Sequence, residues 1–283
     1  MKKIGILGQS IQHSISPILH EAAFNALNIE HSYTVWDVDQ NSLKSFISEI
    51  KEKSVDGFNI TIPYKESIMQ YVDELDSEAQ SIGAINTVIN RDGILTGYNT
   101  DLYGISKTFE LLEDDLTGKN ITLIGSGGAA KSLCYYLHSK NIASLSIINR
   151  SEQRAQNLME DILSDYPVSV HKFDRNSSKI INNSDVIINA TPYGMAGSSI
   201  ENELPPIDLQ LSGKQLVFDL VYNPTMTPLL QLAKIAKCKY IGGLDMLVYQ
   251  AAKAFEIWND VYPNIEIMLN AGRSALEDES SRQ

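Results

Sequence analysis

Apolar and polar positions along this chain follow two recurring rhythms, one of two residues and one of three to four. Phe58, Ile60 and Ile62 alternate with Asn59, Thr61 and Pro63. That period of two predicts a half-buried β-strand with its apolar face inward. Proline cannot donate to a sheet ladder, so Pro63 ends the strand and Lys65 stands just past its carboxyl end. In the first third, strands are predicted at 4–7, 31–38, 58–62, 84–90 and 94–98, and helices at 17–27, 41–53, 64–72 and 77–82. A second series begins near residue 119. Its strands are predicted at 121–124, 145–149, 168–172, 186–189, 216–219 and 239–241, and its helices at 129–139, 151–163 and 228–237. A long helix over 247–258, a further segment at 265–274 and a polar tail, 277–283, expected to fray, complete the chain. Such alternation predicts an α/β protein with mostly parallel sheets. The acidic, glycine-containing stretch 113–119 lies near the boundary between two halves, and no other internal repeat is visible.

The run Asn90-Arg91-Asp92-Gly93 between two apolar strands is a tight hairpin signal, so the first sheet carries an antiparallel pair. With Asp92 and Gly93 at the centre of the turn, Asn90 pairs with Leu95 and Asn86 falls opposite Asn99. Asp101 lies two residues further on, at the same end of the hairpin as Asn86. Taken singly, Lys65, Asn86 and Asp101 are ordinary solvated loop residues. If their strand ends coincide, they share one crevice. In the segment HSISP, Ser14 and Ser16 flank Ile15, and Pro17 suits the first helical position with Ser16 as the cap. These residues make either a helix cap alone or a carboxylate site of two hydroxyls and a helix N-terminus.

Composition narrows the classes. The chain has 283 residues, of which 43% are hydrophobic and 20% charged, as in ordinary soluble globular proteins. No apolar run approaches the roughly 20 residues of a membrane helix. The opening MKKIGILG is basic and then apolar, but short and interrupted by glycine, and reads as a first strand rather than a signal peptide. A net charge of −12 disfavours nucleic acid and anionic membranes as partners. Cys134 and Cys238 show no metal spacing and read as free thiols in a reducing cytoplasm. The five histidines form no i, i+4 pair and no HExxH pattern, so no metal site is expected.

Gly125-Ser126-Gly127-Gly128-Ala129-Ala130 joins a predicted strand to a predicted helix. This is G-x-G-x-x-A, the dinucleotide fingerprint. The first glycine permits the tight turn, the second lets the backbone approach a pyrophosphate, and the small last residue lets helix and strand pack closely. The next strand ends in Asn149-Arg150-Ser151, with Arg154 one turn after Arg150 and no acid at the tip. An acid there would bind the ribose 2′-hydroxyl of NAD. Two arginines at i, i+4 and a hydroxyl suit the 2′-phosphate of NADP, although a capping serine beside two solvated arginines has the same sequence.

Together these segments resemble the shikimate dehydrogenase family. The resemblance runs over about residues 4–275, through HSISP (13–17), FNITIPYK (58–65), IGAINT (82–87), GYNTD (97–101), GSGGAAK (125–131), NRSEQR (149–154), NATPYGM (189–195), DLVYNP (219–224) and GGLDMLVYQA (242–251). It implies two α/β domains with a cleft between them. Residues 1–103 with 244–283 would form a substrate-binding domain on a mixed, mostly parallel sheet, and 104–243 a Rossmann-type NADP domain. It also implies NADPH-dependent, reversible reduction of 3-dehydroshikimate to shikimate, a step toward chorismate and the aromatic amino acids. Lys65 and Asp101 would be the catalytic pair. Ser14 and Ser16 would hold the substrate carboxylate with Tyr222 near it, and Thr61, Asn86 and Gln250 would bind ring hydroxyls. Gly125, Ser126, Gly127, Gly128 and Ala129 would cradle the pyrophosphate, Asn149, Arg150, Ser151 and Arg154 the 2′-phosphate. Thr191, Leu220 and Gly243 would lie along the nicotinamide half. Hydride transfer to a ketone leaves negative charge on its oxygen, which an adjacent ammonium stabilises and can protonate.

The chain departs from the family's common pattern at Leu102, Ser126 and Ser77, none of which removes an assigned charge or hydroxyl. The expected partner is a small molecule, and both monomer and homodimer are open. Two alternatives stand beside this reading. One is an NAD-dependent relative that also takes quinate, against which Ser16, in place of threonine, and Arg150 argue. The other is a non-catalytic NADP sensor, against which the presence of both Lys65 and Asp101 argues.

Overall fold

The computed structural model describes residues 1–53, 55–113, 115–162, 167–174 and 177–280. The chain divides into two compact units, Met1–Lys107 with Leu247–Gln283, and Thr108–Met246. In the first unit the elements run β1 (Lys2–Gly8), α1 (Ser16–Ala26), β2 (His31–Asp37), α2 (Leu43–Glu52), β3 (Gly57–Ile60), a 3-10 turn (Ser67–Tyr71), β4 (Glu74–Leu75), α3 (Ser77–Ile82), β5 (Thr87–Arg91) and β6 (Ile94–Tyr98). Helix α4 (Asp101–Leu112) begins in this unit and ends in the second. The sheet order is β2-β1-β3-β5-β6-β4. Only β5 runs against its neighbours; the remaining pairs are parallel. The hairpin register is the one its turn dictates, Asn90 opposite Leu95 and Thr87 opposite Tyr98.

The second unit continues with β7 (Asn120–Ile124), α5 (Gly128–His138), β8 (Ser144–Asn149), α6 (Glu152–Ile162), β9 (Val168–Lys172), α7 (Ser178–Asn183), β10 (Val186–Asn189), β11 (Leu216–Asp219), α8 (Pro228–Ile235) and β12 (Lys239–Ile241). Helices α9 (Leu244–Asn259) and α10 (Ile265–Ser280) follow. All five strand pairs are parallel, in the order β12-β11-β10-β7-β8-β9. Read from β9, this is the Rossmann order 3-2-1-4-5-6, whose direction reverses between β7 and β10. The central strands β10 and β11 are buried along their whole length, as a sheet covered on both faces requires.

Helices α9 and α10 return to complete the first unit. α10 packs on α1. The Trp258 indole N–H donates to the Val88 carbonyl at 2.9 Å. Gly57 makes room for it, since a Cβ there would stand 2.3 Å from the indole nitrogen. The core under α2 gathers Leu43, Ile47, Phe58, Ile60, Tyr64, Ile68, Val88 and Leu95.

Several expectations change. The helix predicted over 64–72 is only a 3-10 turn at Ser67–Tyr71. Ile68 N–H makes one α-helical bond to the Tyr64 carbonyl at 3.0 Å, but the Lys65 carbonyl accepts from Ile85 N–H at 2.8 Å and Met69 N–H turns to the Glu66 carbonyl, so the ladder does not continue. Strand β3 is buried on both faces rather than half-buried. Strand β5 begins at Thr87, not 84, because the Ala84–Asn86 backbone serves β3, Lys65 and Asn99 instead. Ile15, not Ser16, occupies the cap position of α1, and the Ser14 hydroxyl accepts from Ser16 N–H at 3.3 Å. β4, α4 and α7 were not expected. Helix α10 runs through the tail to Ser280. The predicted helix end at Leu163 and the last three residues lie outside the described residues. Among the described residues no helix is long and apolar enough to cross a membrane.

Candidate active site

In the first unit, the loops after β1 and β3 leave the sheet side by side at its carboxyl edge. A Cβ on Gly8 would stand 2.7 Å from the Thr61 methyl, so the two loops touch. The first carries Ser14 and Ser16, the second Thr61 and Lys65. The backbone around Lys65 is held on both sides. Tyr64, buried, donates its hydroxyl to the Val38 carbonyl at 2.5 Å, and the Lys65 carbonyl is bound by Ile85 N–H. The Lys65 ammonium therefore reaches Asp101 at the start of α4, with Nζ 2.5 Å from Oδ2. The two side chains are 17% and 4% exposed, so little water screens the pair.

The other carboxylate oxygen of Asp101 accepts from Asn86 Nδ2 at 2.8 Å. Thr100 Oγ1 and Gln250 Oε1 each lie 3.0 Å from the same amide nitrogen. Asn86 Oδ1 accepts from Thr100 N–H at 2.7 Å. Gln250 is turned toward this cluster by its own amide, which donates to the Leu247 carbonyl at 2.8 Å. Hairpin geometry accounts for the meeting, because it places Asn86 and Asp101 at one end of β5 and β6. The sequence reading left Asn59 unassigned. It lies on β3 and donates to Thr87 Oγ1 at 3.1 Å and the Asn86 carbonyl at 3.2 Å, while accepting from the Tyr33 hydroxyl at 2.9 Å. Its signal was a polar side chain inside an otherwise apolar strand, which must find partners when both faces are covered.

In the second unit, the glycine loop leaves β7 at the switch point. Gly125 has φ +112° and lies against the Ala190 carbonyl, where a Cβ would come within 2.8 Å. Both facts call for glycine. Gly127 caps α5, and a Cβ there would meet nothing within 4 Å, so space is open beside the loop. The first turn of α5 has no acidic residue, and Ala130 is fully buried beneath it. The free N–H groups of this helix end fit a phosphate. At the tip of β8, Asn149 Nδ2 donates to the Ser151 carbonyl at 2.9 Å, and Ser151 Oγ accepts from Arg154 N–H at 3.4 Å. Ser151 is thus the cap of α6, while Arg150 and Arg154 are exposed. These residues fit an NADP whose pyrophosphate meets α5 and whose 2′-phosphate meets the arginines.

Thr191 follows β10 and touches Gly125 across the switch point. Gly243 sits so close to Leu220 that a Cβ would stand 2.0 Å from the Leu220 carbonyl oxygen. Tyr222 belongs to the loop after β11, in the second unit, while Ser14, Ser16, Thr61, Asn86 and Gln250 belong to the first. Asp219 was also left unassigned. It is fully buried at the end of β11, and burial pushes its carboxyl up to about 6 against the pull of hydrogen bonds from Thr227, Val221 and Asn189.

A Rossmann-type unit with an open glycine loop, in one chain with a unit that presents a buried Lys–Asp pair, defines a nucleotide-dependent dehydrogenase. Three sequence families match along the chain. Residues 6–88 match the shikimate dehydrogenase substrate binding domain, 107–202 shikimate / quinate 5-dehydrogenase, and 243–271 the shikimate 5′-dehydrogenase C-terminal domain. The shikimate dehydrogenase (NADP(+)) of Methanococcus maripaludis is 40% identical over 271 residues, covering 94% of this chain and 95% of that one. A crystal structure of a shikimate dehydrogenase in complex with NADP+ superposes with a TM-score of 0.88 at 39% identity, covering 98% of this chain and 96% of that one. The Thermus thermophilus shikimate 5-dehydrogenase, solved with NADP(H) and shikimate, gives 0.81 at 32% identity, covering 98% and 100%. This chain belongs to the shikimate dehydrogenase family.

Proposed function

We propose that the protein catalyses the reversible, NADPH-dependent reduction of 3-dehydroshikimate to shikimate, as a cytoplasmic enzyme of aromatic biosynthesis. The observation that carries this reading is the 2.5 Å Lys65–Asp101 pair, held by Asn86 next to Gln250. NADPH, when bound, supplies the hydride. In this reading the Lys65 ammonium stabilises the charge that forms on the carbonyl oxygen and gives that oxygen a proton. Asp101 orients Lys65 and accepts a substrate hydroxyl. Thr61, Asn86 and Gln250 bind ring hydroxyls. Ser14, Ser16 and the N-terminus of α1 take the carboxylate with Tyr222, a site that needs no cationic side chain. Gly125 through Ala129 bind the pyrophosphate, Asn149, Arg150, Ser151 and Arg154 the 2′-phosphate, and Thr191, Leu220 and Gly243 the nicotinamide half.

The test follows absorbance of the reduced cofactor with purified protein, comparing NADP with NAD and shikimate with quinate. The expected result is turnover with NADP and shikimate and little with the other pairs. Turnover centred on NAD and quinate would move the protein to relatives of broader specificity. Cofactor binding without turnover would replace the enzyme with a sensor.

A further inference from the structure

Strands β10 and β11 end side by side, with Asn189 paired to Asp219. Both side chains are fully buried. Asn189 Nδ2 donates to Asp219 Oδ1 at 2.8 Å. Asn189 Oδ1 in turn accepts from Thr191 N–H at 3.1 Å and from the Thr191 hydroxyl at 2.5 Å. Asp219 Oδ1 also accepts from Val221 N–H at 3.1 Å, and Oδ2 from the Thr227 hydroxyl at 2.6 Å. Thr227 Oγ1 caps α8 by accepting from Leu230 N–H at 3.2 Å. The Val221 carbonyl accepts from Gly243 N–H at 3.1 Å, which ties the start of α9 to the same loop. One carboxylate thus collects three donors, from the end of β10 and from both ends of the loop between β11 and α8. Every one of these segments begins or borders a loop expected to face the cofactor, yet Asp219 itself is sealed from solvent. A buried carboxyl is costly to keep where nothing depends on it. A purely structural strand end would be satisfied by an apolar residue, like those at 216–218.

We propose that Asp219 is a positioning residue. Acting through Asn189 and Thr227, it fixes the loops that present Thr191, Leu220 and Gly243 to the nicotinamide half of NADP, an inference that rests on the cofactor reading above. The adenosine half is bound elsewhere, at α5 and the tip of β8, so the two halves should respond differently when Asp219 is changed.

Asp219→Leu keeps the branched shape, with bulkier methyl groups, and removes every acceptor. Thr227→Val removes one donor with less disturbance, and Thr227→Ser restores it. The experiment measures equilibrium binding of NADP+ and of adenosine 2′,5′-bisphosphate, which lacks the nicotinamide half, together with shikimate oxidation kinetics. Asp219→Leu should weaken NADP+ and lower kcat by about tenfold or more, as expected when buried donors lose their acceptor. Binding of the bisphosphate and KM for shikimate should change by less than about twofold. Thr227→Val should shift in the same direction by a smaller factor, and Thr227→Ser should recover wild-type values, which keeps the test decisive if Asp219→Leu does not fold. Equal weakening of both ligands would reduce Asp219 to a general stabilising role and overturn the proposal, as would unchanged NADP+ binding and kcat in both variants. Failure of the wild-type protein to bind NADP+ would instead overturn the cofactor reading, and this inference with it.

Discussion

At residue scale, the Lys65–Asp101 pair must be intact for either member to be tolerated, because the pair is largely withdrawn from water. Removing one partner of such a pair strands the other charge. Lys65→Ala should lower turnover by roughly 10³-fold, the scale of a lost charge-stabilising and proton-donating group. Binding of NADPH, followed by fluorescence titration, should change by less than about twofold. An equal loss of both would remove Lys65 from the chemistry. His20 on α1 makes a different prediction. It is fully buried, with its ring stacked on Tyr33 at 4.8 Å and near Trp258 at 5.2 Å. Burial, with neither ring nitrogen hydrogen-bonded, lowers its pKa to about 3. The unfolded chain takes up this proton near the ordinary 6.5 and the folded protein does not. Stability contributed at neutral pH is therefore lost as pH falls through 6 toward 3, by up to about 1.4 kcal/mol for each unit. His20→Phe keeps an aromatic ring and removes the proton. Urea midpoints at pH 7 and pH 5 should fall less for His20→Phe than for the wild type, and parallel falls would refute the assignment.

At element scale, the tip of β8 and the start of α6 decide between cofactors. Ser151 has its hydroxyl on the Arg154 N–H, which leaves the exposed Arg150 and Arg154 as the cationic groups of this tip. Arg150→Ala should raise KM for NADPH by roughly 10–100-fold, the worth of a charge-assisted contact, and leave KM for NADH within about twofold. An unchanged preference would make Arg150 a solvated residue. The same elements show what local pattern can and cannot reveal. β9, β10, β11 and β12 were legible to the residue because each is a short, compact run bounded by polar or turn residues. The meeting of Asn86 with Asp101 was legible because the two-residue turn fixes hairpin register. The turn after Lys65 was not, because its helical ladder is lost to Ile85, a residue twenty positions away. Helix α4 escaped notice because Gly104 and Thr108 interrupt its apolar face, although both are buried there. Asn59 and Asp219 escaped for a shared reason. A polar residue in or at the end of a strand reads as solvent-facing until a second covering layer is known.

At the scale of the whole molecule, the first unit is assembled from two distant pieces of chain, and this sets the order of its dependence. Its sheet is made wholly by the N-terminal piece, but α9 and α10 supply Val248, Ala251, Ala252, Phe255, Trp258 and Met268, all buried. Trp258 is bound to the β5 backbone through Val88, and Gln250 reaches Asn86 in the candidate site. Truncating even one such aromatic to alanine costs about 3–5 kcal/mol. Domains of this size are stable by only about 5–15 kcal/mol. Losing both helices therefore exceeds what the first unit can withstand. The second unit, Thr108–Met246, is continuous, keeps its own core of Ile124, Ile148, Ile187, Val217 and Leu230, and holds every residue assigned to NADP. A chain ending at Met246 should then lose shikimate turnover and much of its cooperative unfolding signal, yet still gain thermal stability from NADP+. At about 100 times Kd that gain is about 2.7 kcal/mol, visible as a rise in the remaining transition. Absence of any NADP+-dependent shift would mean that the second unit needs the first in order to fold, and that α9 and α10 stabilise the whole chain rather than one half of it.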